Sequence, residues 1–383
     1  MERNTYSPRL TSADREVRFA QKTASHLKDL PPYTPIEPFE VLSSRLGREP
    51  ERIIKLDANE NPYGPAAIVR QRLAEMPFPH IYPDPESRTL REALSHFSGV
   101  PFENLLVGSG ADELIDLLLR VLLDPGDAIL ICPPTFGMYA FDAHLNAGRV
   151  LEVPRRPDFS LDVEAIRRMV LSERPKVLFL AVPNNPDGSM PPTEEINAVL
   201  ELPVLVVLDE AYIEFADENL GFETTRLREI LKRDNLVVLR TFSKWAGLAG
   251  LRVGYGAFPA WLLPTLWKAK QPYNLNVAAS EAALASLEAL EDLRSIIARL
   301  RAERERLWAE IARIPYLRPY PSQANFILCQ VTGRDAAGLK EWLAREYGIL
   351  VRYFNKPGLR DHIRISVGKP EETDLLLQAL KMG

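Results

Sequence analysis

Along this chain, short runs that are apolar at every position alternate with longer stretches in which apolar residues recur every three or four places. The runs at 105–107, 128–131, 150–153, 177–182, 204–208, 236–239 and 253–255 predict strands, and the amphipathic stretches at 86–97, 112–122 and 136–145 predict helices between them. A strand that is apolar throughout is buried on both faces, so the pattern predicts a mostly parallel sheet covered by helices. Ahead of it, 37–46 reads as a helix closed by Gly47, and 52–56 as a short strand. Past Pro272 the rhythm changes: a long charged helical stretch at 277–314, a strand at 325–330, a helix at 336–347, strands at 349–352 and 362–366, and a last helix at 371–380. The fold class is therefore α/β, a large domain with a mostly parallel sheet joined to a smaller α+β domain. The expected division is an N-terminal arm over 1–34, an N-terminal part of the small domain over 35–75, a large ligand-binding domain over 76–275 and the C-terminal small domain over 276–383. The arm is charged and interrupted by prolines, with one helix-compatible piece at 13–27, and is expected to pack on something else, such as a second subunit.

Composition narrows the class of function. With 383 residues, 46% apolar, 26% charged and 32 prolines, the chain reads as a soluble globular protein. A net charge of -5 gives no basic footprint for nucleic acid or an anionic membrane. No apolar run approaches a membrane span, and the first ten residues lack a signal-peptide core. The two cysteines, Cys132 and Cys329, lie in apolar runs, which points to a reduced, cytoplasmic protein. The five histidines lack ligand spacing, so no metal is expected and they read as surface or capping residues.

In open α/β sheets ligands gather at the carboxyl ends of strands, and the residues just past each predicted strand form a set. Gly108-Ser-Gly-Ala-Asp-Glu113 opens a helix whose free N–H groups, at Ala111 and Asp112, make an anion site; it lacks the third glycine of a dinucleotide fingerprint, and Asp112 reads equally as a cap. Phe136, after the next run, suits offset stacking on a planar ring, or plain core packing. Asn185 sits in a Pro-Asn-Asn-Pro-Asp-Gly turn and could donate to a phenolic oxygen, although turn formation alone explains the motif. Asp209 closes an apolar run, where a carboxylate is costly unless it meets a cation such as a pyridinium N–H, and Tyr212 could bond the ring's phenolate. A metal-binding Asp-Glu reading of 209–210 lacks the phosphate loop it would need upstream. Lys244 lies between an apolar run and a glycine-rich turn, flanked by Ser243 and Arg252, which suit a phosphate dianion. A desolvated lysine is a nucleophile for an aldehyde, although on this stretch alone a buried lysine paired with a carboxylate near a glycine loop reads as well. Aldehyde, phosphate and a ring nitrogen together describe pyridoxal 5'-phosphate. The loop Asp57-Ala-Asn-Glu-Asn-Pro-Tyr-Gly-Pro65 is either a ligand loop or an ordered turn.

These motifs, with Tyr82-Pro-Asp-Pro85, Leu350-Val-Arg352 and Ile363-Arg-Ile-Ser-Val-Gly368, are similar to those of the fold-type I pyridoxal-phosphate aminotransferases. Within that family the chain resembles the histidinol-phosphate aminotransferases from Pro38 to its end. The resemblance implies a homodimer with active sites at the interface, acting on an amino donor and a phosphorylated keto substrate. It makes Lys244 the Schiff-base lysine, Asp209 the partner of the ring nitrogen, Asn185 and Tyr212 the holders of the phenolate, and Phe136 the stacking ring. Ala111, Asp112, Ser243 and Arg252 would bind the cofactor phosphate with Tyr82 reaching across from the other subunit, and Asn61, Arg352 and Arg364 would contact substrate. The implied reaction joins L-histidinol phosphate and 2-oxoglutarate to imidazole-acetol phosphate and L-glutamate, in histidine biosynthesis. Aromatic amino-acid aminotransferases and threonine-phosphate decarboxylases share the scaffold. A regulator built on it would need a DNA-binding module, for which the arm is too short. Val182 and Asp187 depart from the family's usual Asn and Thr, and Phe39 stands where a tyrosine is frequent near the substrate.

Overall fold

The computed structural model describes residues 22–28, 30–31 and 37–382. Most of the expected arm, including 13–21 of its helix-compatible piece, lies outside them. What is described there is a single 3-10 turn, Ser25–Leu27, with His26 Nε2 3.1 Å from the carbonyl of Leu145.

Strand β1 (Ile54–Leu56) lies in a five-stranded sheet. Strands β2 (Leu105–Gly108), β3 (Ala128–Ile131), β4 (Arg149–Glu152), β5 (Val177–Ala181), β6 (Leu205–Asp209), β7 (Leu236–Thr241) and β8 (Gly254–Ala257) form a seven-stranded one. Strands β9 (Leu317–Pro319), β10 (Phe326–Val331), β11 (Ile349–Tyr353) and β12 (His362–Ser366) complete the smaller sheet. The larger sheet runs β2-β8-β7-β6-β5-β3-β4, parallel from β7 to β4, with β8 antiparallel to both β2 and β7. Its central strands are apolar throughout because both faces are covered. Leu178, Leu180, Val206, Leu208 and Val238 point into one core, while Phe179, Val207 and Val237 point into the other.

The smaller sheet runs β1-β11-β12-β10-β9, with β1 parallel to β11 and the remaining pairs antiparallel. Residues 54–56 thus join strands almost 300 positions later in the chain, and the Asp57 loop is carried to the boundary between the sheets. There Gln323 N–H donates to the Gly188 carbonyl at 2.8 Å, and Asn325 Nδ2 to the Asn59 carbonyl at 2.9 Å.

The structure corrects three local expectations. The stretch at 277–314 is two helices, Val277–Glu288 and Leu290–Ile311, hinged at Ala289. The first is capped by Asn276, whose Oδ1 accepts from Ala279 N–H at 2.8 Å, and it buries Ala279, Ala282, Ala283 and Ala285 on the larger sheet's core. The second runs from that core, through Leu293 and Ile297, into the smaller one, through Leu307 and Ile311. The helix expected over 336–347 is α-helical only over Ala336–Trp342 and ends in a π turn, Leu343–Tyr347. His362 is neither a surface nor a capping residue: it is buried on β12, its Nδ1 2.7 Å from Asp361. Both cysteines are buried and free.

Candidate active site

Asp209 is the last residue of β6, and it is 5% exposed. Burial pushes its carboxyl up to about 6, against the pull of the Tyr139 hydroxyl, which donates to Oδ2 at 2.7 Å. Ala211 N–H donates to the other oxygen at 3.1 Å. Tyr139 is completely buried, stacked on Phe179 at 4.8 Å, and comes from the helix Met138–Leu145. Sequence reading missed it. The available signal was its place three residues after Phe136, one helical turn on, but only the sheet brings that turn against β6. Phe136 is partly buried and meets Tyr139 edge-on, 5.5 Å between ring centres.

Lys244 follows β7. Burial, and next the guanidinium of Arg364, bring its ammonium down to about 8. Its Nζ donates to the Ala58 carbonyl at 3.0 Å, so the loop after β1 closes over it. An amine of that acidity carries a far larger neutral fraction near physiological pH than an ordinary lysine, and the neutral form attacks a carbonyl.

Beside it, four elements converge on one anion cradle. The helix Gly110–Leu122 begins there, with Ala111 and Asp112 in its first turn. Arg252, in a left-handed conformation at φ 55, sends Nη2 to Asp112 Oδ2 at 2.9 Å and Nη1 to Ser243 Oγ at 3.4 Å. Ser243 is also held by Thr241, whose hydroxyl donates to Ser243 Oγ at 2.9 Å. Gly254 lets β8 lie against the helix start: a Cβ there would stand 2.6 Å from Ala111 N and 2.7 Å from Gly110 C. A helix N-terminus, a hydroxyl and a guanidinium form a binding set for a phosphate dianion.

The small sheet supplies the other wall. Arg352 and Arg364 are direct cross-strand partners on β11 and β12, and both guanidiniums lie near the Phe354 ring, at 5.8 and 5.5 Å. Arg364 donates to Asn185 Oδ1 at 2.6 Å and to the Asp57 carbonyl at 2.8 Å, so it spans the two sheets. Asn185 follows β5, and Tyr212, buried, follows β6 with its ring edge-on to Phe326. Asn59 Nδ2 donates to the Tyr212 hydroxyl at 3.0 Å, a contact that sequence reading did not assign. Asn61 is placed otherwise than as a free substrate contact: its amide donates to the Trp245 carbonyl at 3.0 Å and accepts from Tyr63 N–H at 3.0 Å, bracing the loop against the residue after Lys244. Tyr82 does not join the cradle within the chain; it is 80% exposed and stacks on Tyr273 at 4.7 Å.

A buried carboxylate that needs a cation, an amine held near neutrality, a ring to stack on, two donors side by side and a phosphate cradle fit one ligand. It is planar, with a basic ring nitrogen, a phenolic oxygen, an aldehyde and a phosphate. On this sheet that set defines a pyridoxal-phosphate-dependent transferase of fold type I. Residues 51–380 match the family described as aminotransferase class I and II. The chain belongs to this family, and its cofactor is pyridoxal 5'-phosphate. Over 357 residues it is 57% identical to the chloroplastic histidinol-phosphate aminotransferase of Nicotiana tabacum, covering 93% of this chain and 85% of the relative. It is 52% identical to the histidinol-phosphate aminotransferase of Roseiflexus castenholzii, covering 92% and 95%. The crystal structure of histidinol-phosphate aminotransferase from Sinorhizobium meliloti in complex with pyridoxal-5'-phosphate superposes with a TM-score of 0.84 at 29% identity, covering 94% of this chain and 98% of that one.

Proposed function

We propose that this aminotransferase exchanges an amino group between L-histidinol phosphate and 2-oxoglutarate, giving imidazole-acetol phosphate and L-glutamate in histidine biosynthesis. One observation carries the substrate choice beyond the family likeness. Arg352 and Arg364 stand side by side on the small sheet, and after burial Arg364 is the strongest influence lowering Lys244. A paired guanidinium surface this close to the reacting amine accepts either a carboxylate or a phosphate, as the two half-reactions require.

When bound, the cofactor supplies an aldehyde for the amino group and a ring that takes up the electron pair left when the α-hydrogen departs. Ala111, Asp112, Ser243 and Arg252 would hold its phosphate, Asp209 its ring nitrogen, Asn185 and Tyr212 its phenolic oxygen, and Phe136 its face. Lys244, its ammonium lowered by burial, would take the α-proton and deliver it to the carbon that carried the cofactor's aldehyde, across the nitrogen that joins them. Tyr139 keeps the Asp209 carboxylate aimed at the ring nitrogen. We further propose a homodimer in which Tyr82 completes the partner's phosphate cradle. We place the small domain around β1 and β9–β12 with the later part of the helix Leu290–Ile311, and leave the helices Ala67–Ala74 and Val277–Glu288, which the division at 75 and 276 had put in it, with the large domain whose core they join. The two free, buried cysteines suit a reducing compartment, the cytoplasm.

The test adds L-histidinol phosphate, and separately phenylalanine, to purified protein and follows the bound chromophore. Histidinol phosphate is expected to convert it in one turnover. Conversion by phenylalanine alone would overturn the substrate choice and leave the cofactor assignment standing. Borohydride reduction followed by peptide mapping is expected to label Lys244, and a different labelled residue would displace Lys244 from its role.

A further inference from the structure

Among the contacts the reaction does not require, one chain of hydrogen bonds leads from the small sheet to the cofactor site. Ser366, on β12, accepts from Asn59 N–H at 2.8 Å, and its hydroxyl donates to Asn59 Oδ1 at 3.0 Å. The other end of the same amide, Nδ2, donates to the Tyr212 hydroxyl at 3.0 Å. All three side chains are buried: Asn59 is 1% exposed, Ser366 2% and Tyr212 6%. The backbone of Asn59 is left-handed, φ 56, a conformation asparagine tolerates better than most residues, and its carbonyl is tied to Asn325 Nδ2 at 2.9 Å. The residue is therefore held at both its main chain and its amide.

The direction of these bonds matters. Turning the amide over would leave the Ser366 proton without an acceptor in a buried place, which costs more than the bond it would gain. The orientation with Nδ2 toward Tyr212 is the one in which every member is satisfied. A tyrosine hydroxyl that accepts from an amide N–H has that lone pair occupied, so its own proton points elsewhere, and a hydroxyl that accepts becomes a stronger donor.

Resting on the cofactor reading above, we propose that Asn59 and Ser366 are positioning residues that preset Tyr212 as a one-way proton donor toward the phenolic oxygen of pyridoxal phosphate. The small domain thereby sets the strength of a hydrogen bond made by the large one. Neither residue touches the reacting atoms.

The test titrates the absorbance of the bound cofactor in the holoenzyme against pH. A donor to the phenolic oxygen favours the deprotonated chromophore, so weakening that donor moves the chromophore's apparent pKa up. Asn59→Gly, which keeps the left-handed backbone and deletes the amide, is expected to move it up by about half a pH unit or more, and Tyr212→Phe at least as far. In the Tyr212→Phe background, Asn59→Gly is expected to add nothing. An unchanged or downward titration in Asn59→Gly, or a full additive step in the double variant, overturns the proposal. Should Asn59→Gly fail to fold, Ser366→Ala decides: it removes one hydroxyl, an upward move supports the proposal, and a wild-type titration overturns it. A wild-type protein that, saturated with pyridoxal phosphate, shows no bound chromophore at all would instead refute the cofactor reading on which this rests.

Discussion

Asp209 and Lys244 are made reactive by the same cause, removal from water, acting on charges of opposite sign. Burial raises the acid to about 6 and lowers the base to about 8. For Lys244, whose ordinary value is 10.5, the cost of burying the ammonium is present below about pH 8 and disappears as the pH climbs toward 10.5. Lys244→Met should therefore melt higher than the wild type in the cofactor-free state at pH 7, by about 2–4 °C. The advantage should shrink above pH 9; a constant difference across that range in a thermal melt would count against it. For Asp209, Tyr139 supplies the opposing donor. Tyr139→Phe should push the carboxyl further up, leave more of it protonated near neutrality and weaken cofactor binding about tenfold at pH 6, less at pH 8. Fluorescence titration with pyridoxal phosphate measures this, and equal affinities at both pH values would refute it. Both charged residues stood out in the chain, because a charge just past an apolar run is conspicuous. Tyr139 did not, since a tyrosine in an apolar helix has no distinctive local pattern.

The elements show where local pattern suffices and where it stops. Strands β5 and β6 were legible as apolar runs because both their faces are covered. The break at Ala289 was not legible: helical periodicity continues across it, and the bend follows the change from the larger core to the smaller one. Gly254 is the element-scale constraint on the cradle. Its missing side chain permits the contact between β8 and the start of the helix Gly110–Leu122, where the nearest atoms to a Cβ are all backbone and cannot swing aside. Gly254→Ala is expected to cost about 1–3 kcal/mol and to lower cofactor occupancy in the purified protein. Wild-type melting together with full occupancy, read by absorbance after denaturation, would contradict this.

For the molecule as a whole, the site lies on the boundary between two sheets, with Arg364, Asn59 and Gln323 bridging it. Tyr82, exposed and stacked on Tyr273, lies outside the cradle of its own chain. In the proposed homodimer each cradle takes this tyrosine from the neighbour, which gives two expectations. The mass in solution should be about twice 43.2 kDa. An equal mixture of inactive Tyr82→Ala and Lys244→Ala subunits, after dissociation and reassociation, should recover about a quarter of wild-type activity, because half of the dimers then contain one complete site. No recovery in a mixture shown to exchange subunits would place Tyr82 outside the shared site.

The order of residues already carried the fold class, the alternation of strand and helix, and the chemistry of the strand ends. Each of these depends on neighbours within a few positions, and periodicity or burial of a single charge reveals it. The partners of those chemical groups depended on folding. Tyr139 reaches Asp209 across 70 positions, Lys244 reaches Ala58 across 186, and Ser366 reaches Asn59 across 307. Contacts so distant in the chain are made by sheet order and register, and these follow from how the cores close around both faces of the strands.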